Sequence, residues 1–233
     1  MRLQVFLSKA GVASRRASAD AIKSGKVTVN GENIIEPSHR VCPEKDEIFL
    51  NNKKVQLRKK LYVVLNKPKG VTTTKKDRHA EKTVMDLLPH DLRHLNPAGR
   101  LDKDTTGLVL LTNDGELINR LTHPRFKIDK VYEVMLDRQL RNEDKARIEK
   151  GISLDHKTTA PCAISQKKNN TLEITLHEGR KRQVRRMFAV FGYRVEELKR
   201  LRESSLSLGK LREGEWRYLT DQEIRDMHIQ GRA

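Results

Sequence analysis

Only two cysteines occur in the 233 residues, Cys42 and Cys162, 120 positions apart and without a local partner motif. That scarcity excludes a disulfide framework and a cysteine-built zinc site. His39 and Cys42 have a ligand-like gap but no companions, so they are read as structural. No apolar run approaches the ~20 residues needed to cross a bilayer, and the stretch around Arg2 and Lys9 lacks the apolar centre of a signal peptide. A cytoplasmic protein without membrane contact is therefore expected. No Gly-rich phosphate loop of the P-loop or dinucleotide type occurs. Acidic residues are also in deficit, 31 against 48 Lys plus Arg, which gives a formal charge of +17. Such a chain seeks a polyanion, with nucleic acid ahead of a membrane surface.

The length suits one or two domains, and 36% hydrophobic residues fit two modest cores better than one large core. At the front, Leu3, Phe6, Leu7 and Ala10 fall at helical spacing up to Gly11. Ser14 is placed to cap a second helix whose apolar stripe is Ala17, Ala21 and Ile22, with Gly25 as its stop. Val27 and Val29 then lead into Asn30-Gly31, a hairpin turn signal, with Ile34 and Ile35 beyond it. Lys9, Arg15, Arg16, Lys23 and Lys26 cluster on and beside these helices, where they are expected to grip phosphates. A solvated basic face is the plainer alternative.

Leu3 to Val29, with Gly11-Val12-Ala13-Ser14-Arg15-Arg16 and Lys26-Val27-Thr28-Val29-Asn30-Gly31, resembles an S4 RNA-binding domain. That resemblance implies structured RNA as partner and says nothing about chemistry. A polar, basic linker over Lys53 to Lys60 sets the expected division at 1–58 and 59–233.

Beyond it, Tyr62 to Leu65, Gly107 to Leu111, Val131 to Leu136 and Leu172 to Leu176 read as strands, and Glu116 to Leu121, Asn142 to Lys150 and Lys181 to Phe191 as helices. The spacing is too uneven for repeated βαβ units. An α+β domain is expected, with a mainly antiparallel mixed sheet flanked by helices. Within it, Gly99-Arg100-Leu101-Asp102-Lys103-Asp104-Thr105-Thr106-Gly107 mounts a carboxylate between cations in a Gly-bounded turn just before an apolar strand. Such a carboxylate can serve as nucleophile or base. On spacing alone, the plainer reading is the favoured one, a solvated acidic turn leading into a strand; the rest of the chain overturns it. In the helix after Gly179, Val184, Met187, Phe188 and Phe191 share one face; Arg185 falls at the margin of that face, while Arg182 and Arg186 point away.

Leu65-Asn66-Lys67-Pro68-Lys69-Gly70, Gly99-Arg100-Leu101-Asp102, Lys130-Val131-Tyr132 and Glu178-Gly179-Arg180-Lys181-Arg182-Gln183-Val184-Arg185-Arg186-Met187 are similar to the motifs of the S4-linked ribosomal RNA pseudouridine synthases, and span most of the chain. The resemblance implies conversion of a uridine in ribosomal RNA to pseudouridine, without cofactor or metal, by a monomer acting on ribosomal RNA or a subunit precursor. It makes Asp102 the catalytic carboxylate, Tyr132 the ring that stacks on the target base, Arg185 the partner of Asp102 and Leu198 a packing residue beside the base. Arg100, Lys103, Arg182 and Arg186 are expected to hold the RNA backbone. Arg182-Gln183-Val184-Arg185-Arg186-Met187 favours the large-subunit RNA, whereas Ala98-Gly99 and Asp104-Thr105-Thr106-Gly107 lean toward the small-subunit RNA. Two rivals remain. A non-catalytic RNA-binding or ribosome-assembly protein would have no need of an acid in a cationic groove, where it repels phosphate. A metal-dependent nuclease would use Asp102 and Asp104 as ligands, but further clustered acids or histidines are missing.

Overall fold

The computed structural model describes residues 1–75 and 77–229. The chain forms two compact units, Met1–Leu61 with Asn113–Gly115, and Tyr62–Thr112 with Glu116–Ala233. In the first unit α1 (Leu3–Lys9) and α2 (Arg15–Lys23) precede β1 (Val27–Val29), β2 (Glu32–Asn33), β3 (Ile48–Leu50) and β4 (Lys53–Lys54), which form a sheet in the order β2-β1-β3-β4. Ser14 caps α2 by accepting from the Ala17 amide, which satisfies one of the amides a helix start leaves unpaired. The turn between β1 and β2 needs positive φ at both central residues, and Asn30 and Gly31 supply it at 52° and 85°. Leu3, Phe6, Leu7, Ile22, Val27 and Ile48 fill the core.

Three local expectations differ from the structure. The buried stripe of α2 is Ser18 with Ile22 rather than Ala17, because α2 starts at Arg15 and its phase puts Ala17 outward. Ile35 is 67% exposed, since the second hairpin strand is only two residues long. Lys53 and Lys54 belong to β4, not to a linker; their partners are Leu50 and Phe49.

The second unit contains β5 (Tyr62–Lys67), β6 (Asn96–Pro97), β7 (Thr106–Thr112), α3 (Gly115–Thr122), β8 (Lys130–Leu136), α4 (Asn142–Lys150), β9 (Ser153–Leu154), β10 (Lys157–Thr158), β11 (Ala163–Gln166), β12 (Thr171–Leu176), α5 (Gln183–Ala189), β13 (Val195–Glu203), β14 (Leu206–Ser207), β15 (Trp216–Tyr218) and α6 (Asp221–Ile229). Nine of its strands make one mixed sheet along the path β11-β12-β8-β13-β7-β5-β15, with β14 on β13 and β6 on β7. Every pairing is antiparallel except β7 with β13. The α+β class with a mainly antiparallel sheet is thus observed.

Two apolar layers pack against it. Ile148, Val184, Met187 and Phe188 meet Val134, Leu172 and Ile174, while Leu117, Leu121 and Met227 meet Val64, Leu108 and Leu110. The nine-residue β13 was not anticipated, because Val195, Leu198 and buried Arg200 stand among charged residues and give no clean alternation of apolar and polar positions. α5 is shorter than the expected Lys181–Phe191, since Arg182 adopts the left-handed conformation, φ 51°, at its N-cap.

The parallel pairing of β7 with β13 is very close. A Cβ on Gly107, where φ is 105°, would lie 2.3 Å from the Arg200 carbonyl oxygen and 2.6 Å from its amide nitrogen. Only glycine fits there. Gly107→Ala should therefore cost on the order of 3 kcal/mol or more of stability. Urea denaturation measures it, and an alanine variant as stable as the parent would contradict this packing.

Candidate active site

The end of β5 and the turn after it build the seat for the segment from Leu101 to Thr105. The fully buried Lys67 Nζ donates to the carbonyls of Pro68 at 3.0 Å, Val71 at 2.8 Å and Lys103 at 3.3 Å. The Gly70 amide donates to the same Lys103 carbonyl at 2.8 Å. Thr73 Oγ1 both donates to the Leu101 carbonyl, 3.0 Å, and accepts from the Leu101 amide, 3.2 Å. The Thr105 amide closes the turn onto the Asp102 carbonyl at 3.0 Å. Buried backbone groups of an irregular segment need partners of this kind. Lys67 and Thr73 thus hold the segment that carries the two aspartates; in the sequence Lys67 stands in a motif that gives it no task, and nothing marks Thr73.

Asp102 and Asp104 diverge. Asp104 receives both Arg182 nitrogens at 3.1 Å each, and Arg185 Nε approaches its carboxylate to 3.2 Å. Arg185 also donates to the carbonyls of Val195 at 2.7 Å and Asp104 at 3.1 Å. Burial pushes the Asp104 carboxyl up, but the Arg182 hydrogen bonds and the two guanidinium charges outweigh it and hold the group below its ordinary value. The expected ion pair between Arg185 and Asp102 is therefore corrected: Arg185 bonds Asp104, because its guanidinium is tied to β13 and to the backbone of residue 104, two positions along the turn. Among the described residues the Asp102 carboxylate has neither a hydrogen bond nor an ion pair within the protein, and it is half-buried in a cleft of about 670 Å³.

Arg100, Tyr132, Arg182 and Leu198 line that cleft with Asp102, together with His123, Lys130, His177, Lys181, Arg200 and Glu203. Lys103, Arg185 and Arg186 do not. Lys103 turns outward to within 3.8 Å of Glu81, and Arg186 pairs with the exposed Asp155 on the turn between β9 and β10. Arg182 reaches the cleft with its guanidinium already committed to Asp104. Lys9, Arg15, Arg16 and Lys26 belong to the first unit; Arg15, Arg16 and Lys26 are exposed and Lys9 is half-buried. No helix among the described residues is long and apolar enough to cross a membrane, and no group of three or more metal-ligating side chains occurs among them.

On the cleft side of β8 and β13, Tyr132 and Arg200 sit opposite each other in register. Burial pushes the Tyr132 hydroxyl above its ordinary value while the Arg200 guanidinium, in contact with that hydroxyl, pulls it down. Arg200 was not foreseen as a cleft residue, since nothing in the basic run from Arg180 to Arg202 marks one arginine as buried.

Residues 61–190 match the RNA pseudouridylate synthase family, and residues 1–48 match the S4 domain. The chain belongs to the RNA pseudouridylate synthase family. Ribosomal large subunit pseudouridine synthase B of Bacillus subtilis is 40% identical over 230 residues, covering 96% of this chain and 94% of that protein. A protein of Aquifex aeolicus named as an RNA pseudouridine synthase is 40% identical over 96% of this chain and 92% of its own. A crystal structure described as a pseudouridylate synthase superposes with a TM-score of 0.72 at 33% identity, covering 97% of this chain and 99% of that one. The enzyme is thus an S4-linked RNA pseudouridine synthase, as its motifs implied.

Burial pushes the Lys67 ammonium from 10.5 down to about 8, against the opposing pull of Asp104 and Asp102. Because the folded value is the lower one, the unfolded chain binds more protons between about 8 and 10.5, and stability from this group rises with pH across that window. The penalty is full below it. Relative to Lys67→Met, the native enzyme should gain stability as pH is raised through the window, read by urea denaturation at its two ends. A difference that stays flat would show that Lys67 keeps its ordinary value.

Proposed function

We propose that the enzyme converts a uridine of ribosomal RNA, in the large subunit, to pseudouridine with Asp102 as its catalytic carboxylate. The observation that carries this is the unpaired state of Asp102: in a cleft bordered by Arg100, Lys130, Arg182 and Arg200, the neighbouring acid is consumed by arginines and this one is left facing the cavity. A group used for structure would be expected to find a partner among so many cations. The 40% identity to a protein named as a large-subunit enzyme supports that RNA over the small-subunit RNA.

The reaction breaks the bond from C1′ to N1, turns the uracil about and joins C1′ to C5. The C5 proton is lost and N1 gains one, so atoms and electrons balance without a cofactor. Asp102 can attack C1′ or remove a ribose proton; both routes place an anionic oxygen beside a sugar carbon that becomes electron-poor, as carboxylates do in glycoside cleavage. The target nucleotide has to leave its stack to reach the cleft. Tyr132 offers its ring to the flipped base, Leu198 packs beside it, and Arg100 and Lys181 at the rim meet phosphate. The S4-like residues 1–58 add sequence-independent grip through Lys9, Arg15, Arg16 and Lys26. The enzyme acts as a monomer in the cytoplasm, where ribosomal RNA is found.

Asp102→Asn should abolish isomerisation and leave RNA affinity nearly unchanged. Tritium release from large-subunit transcripts made with [5-³H]uridine, alongside filter binding, reads both; turnover above a mock preparation would remove Asp102 from the chemistry. The double change Arg15→Ala and Arg16→Ala should weaken binding and flatten its salt dependence, by roughly 0.7 to 0.9 in slope per lost phosphate contact, with the rate on saturating RNA preserved. Normal binding with a collapsed rate would place these arginines in the active site instead.

A further inference from the structure

Arg200 and Glu203 are each 1% exposed, both line the cleft, and both carry polar atoms without a hydrogen-bond partner among the described residues: Arg200 Nη2 and the two Glu203 carboxylate oxygens. The carboxylate stands between two cations, with Arg200 Nη2 3.4 Å from Oε2 and Lys130 Nζ 4.0 Å from Oε1. The Lys130 contact is beyond hydrogen-bonding length, and the Arg200 contact makes no hydrogen bond. A buried carboxylate whose oxygens accept no hydrogen bond is costly, so the arrangement calls for a donor that arrives from the cavity. The three groups are held at fixed positions on adjacent strands: Lys130 and Glu203 are partners in the β8 and β13 register, and Arg200 Nε is anchored on the Leu108 carbonyl at 2.8 Å.

In order, the groups present donor, acceptor, donor. The edge of uracil opposite its C6 presents acceptor, donor, acceptor: the C4 carbonyl, N3–H and the C2 carbonyl. We propose that Arg200, Glu203 and Lys130 form the uracil-reading floor of the cleft, with Glu203 accepting from N3–H and the two cations donating to the carbonyls. Cytosine, which has an amino donor at C4 and an acceptor at N3, sets a donor against a cation and a lone pair against the carboxylate. A site built to bond specific polar groups rejects an analogue that leaves them unmatched far better than an apolar pocket does.

The floor also suits the turn of the base. A half-turn about the line through N3 and C6 exchanges N1 with C5 and O2 with O4, yet leaves the acceptor-donor-acceptor edge where it was. Arg200 and Lys130 then trade carbonyls and Glu203 keeps the same N3–H. One rigid set of groups holds the uracil equally before the old bond breaks and after the new one forms.

This inference rests on the cleft being the site where uridine reacts, and its test separates the two. Large-subunit transcripts made with uridine or with 4-thiouridine, whose sulfur is a weaker acceptor, are turned over by the native enzyme and by Lys130→Met, with RNA affinity measured in parallel. The thio substitution should lower kcat/KM of the native enzyme about tenfold and that of Lys130→Met by less than about threefold, a non-additivity that only contact between the two produces. If Lys130→Met melts early, Glu203→Gln, which keeps the shape but changes the acceptor pattern, serves in the equivalent cycle with 3-methyluridine, which lacks the N3–H that Glu203 accepts from. Equal thio effects in both enzymes, or none in the native enzyme, would overturn the floor. Asp102→Asn run on the uridine transcript tests the underlying reading independently: if it is inactive while the cycle is additive, the site stands and the floor falls.

Discussion

The close approach of β7 to β13 is the constraint on which the site depends. Gly107 and Arg200 are register partners in the sheet's one parallel pairing, and no side chain fits between them. Residues immediately before Gly107 belong to the aspartate turn, and residues around Arg200 carry Leu198 on one side and Glu203 on the other. The pairing therefore brings two segments nearly a hundred positions apart to the walls of one cleft. The antiparallel pairing of β13 with β8 adds Tyr132 and Lys130 across the same strand.

Two aspartates two residues apart have been given opposite surroundings. Asp104 collects Arg182 and Arg185, which ties the turn to the start of α5 and fixes its orientation. Lys67 and Thr73 fix it from the other side through backbone carbonyls. A bidentate guanidinium pair fixes direction as well as distance, which a lysine in the place of Arg182 would not do. With the scaffold carried by Asp104, the Asp102 carboxylate makes no hydrogen bond or ion pair among the described residues and lines the cleft.

Much of this was legible in the residues themselves. The helix, helix and hairpin at the front follow from Ser14, Gly11 and Asn30-Gly31, because caps and turns are local. Strands β5, β7, β8 and β12 are apolar enough to read directly. The partner of Arg185 was not legible. Helical phase places it at the buried margin correctly, but which of Asp102 and Asp104 lies opposite depends on the turn geometry set by Lys67, Thr73 and the left-handed Arg182. Arg200 and Glu203 were hidden for a related reason: a buried ion pair on a strand looks, in sequence, like two more members of a charged run.

What touches Asp102 decides its role. A structure of the Asp102→Asn protein bound to its unmodified RNA would show this without turnover. The target nucleotide should be flipped into the cleft, with C1′ beside the residue 102 side chain and its base against the Tyr132 ring. A ribose lodged at Asp104, or an RNA that leaves the cleft empty, would contradict it.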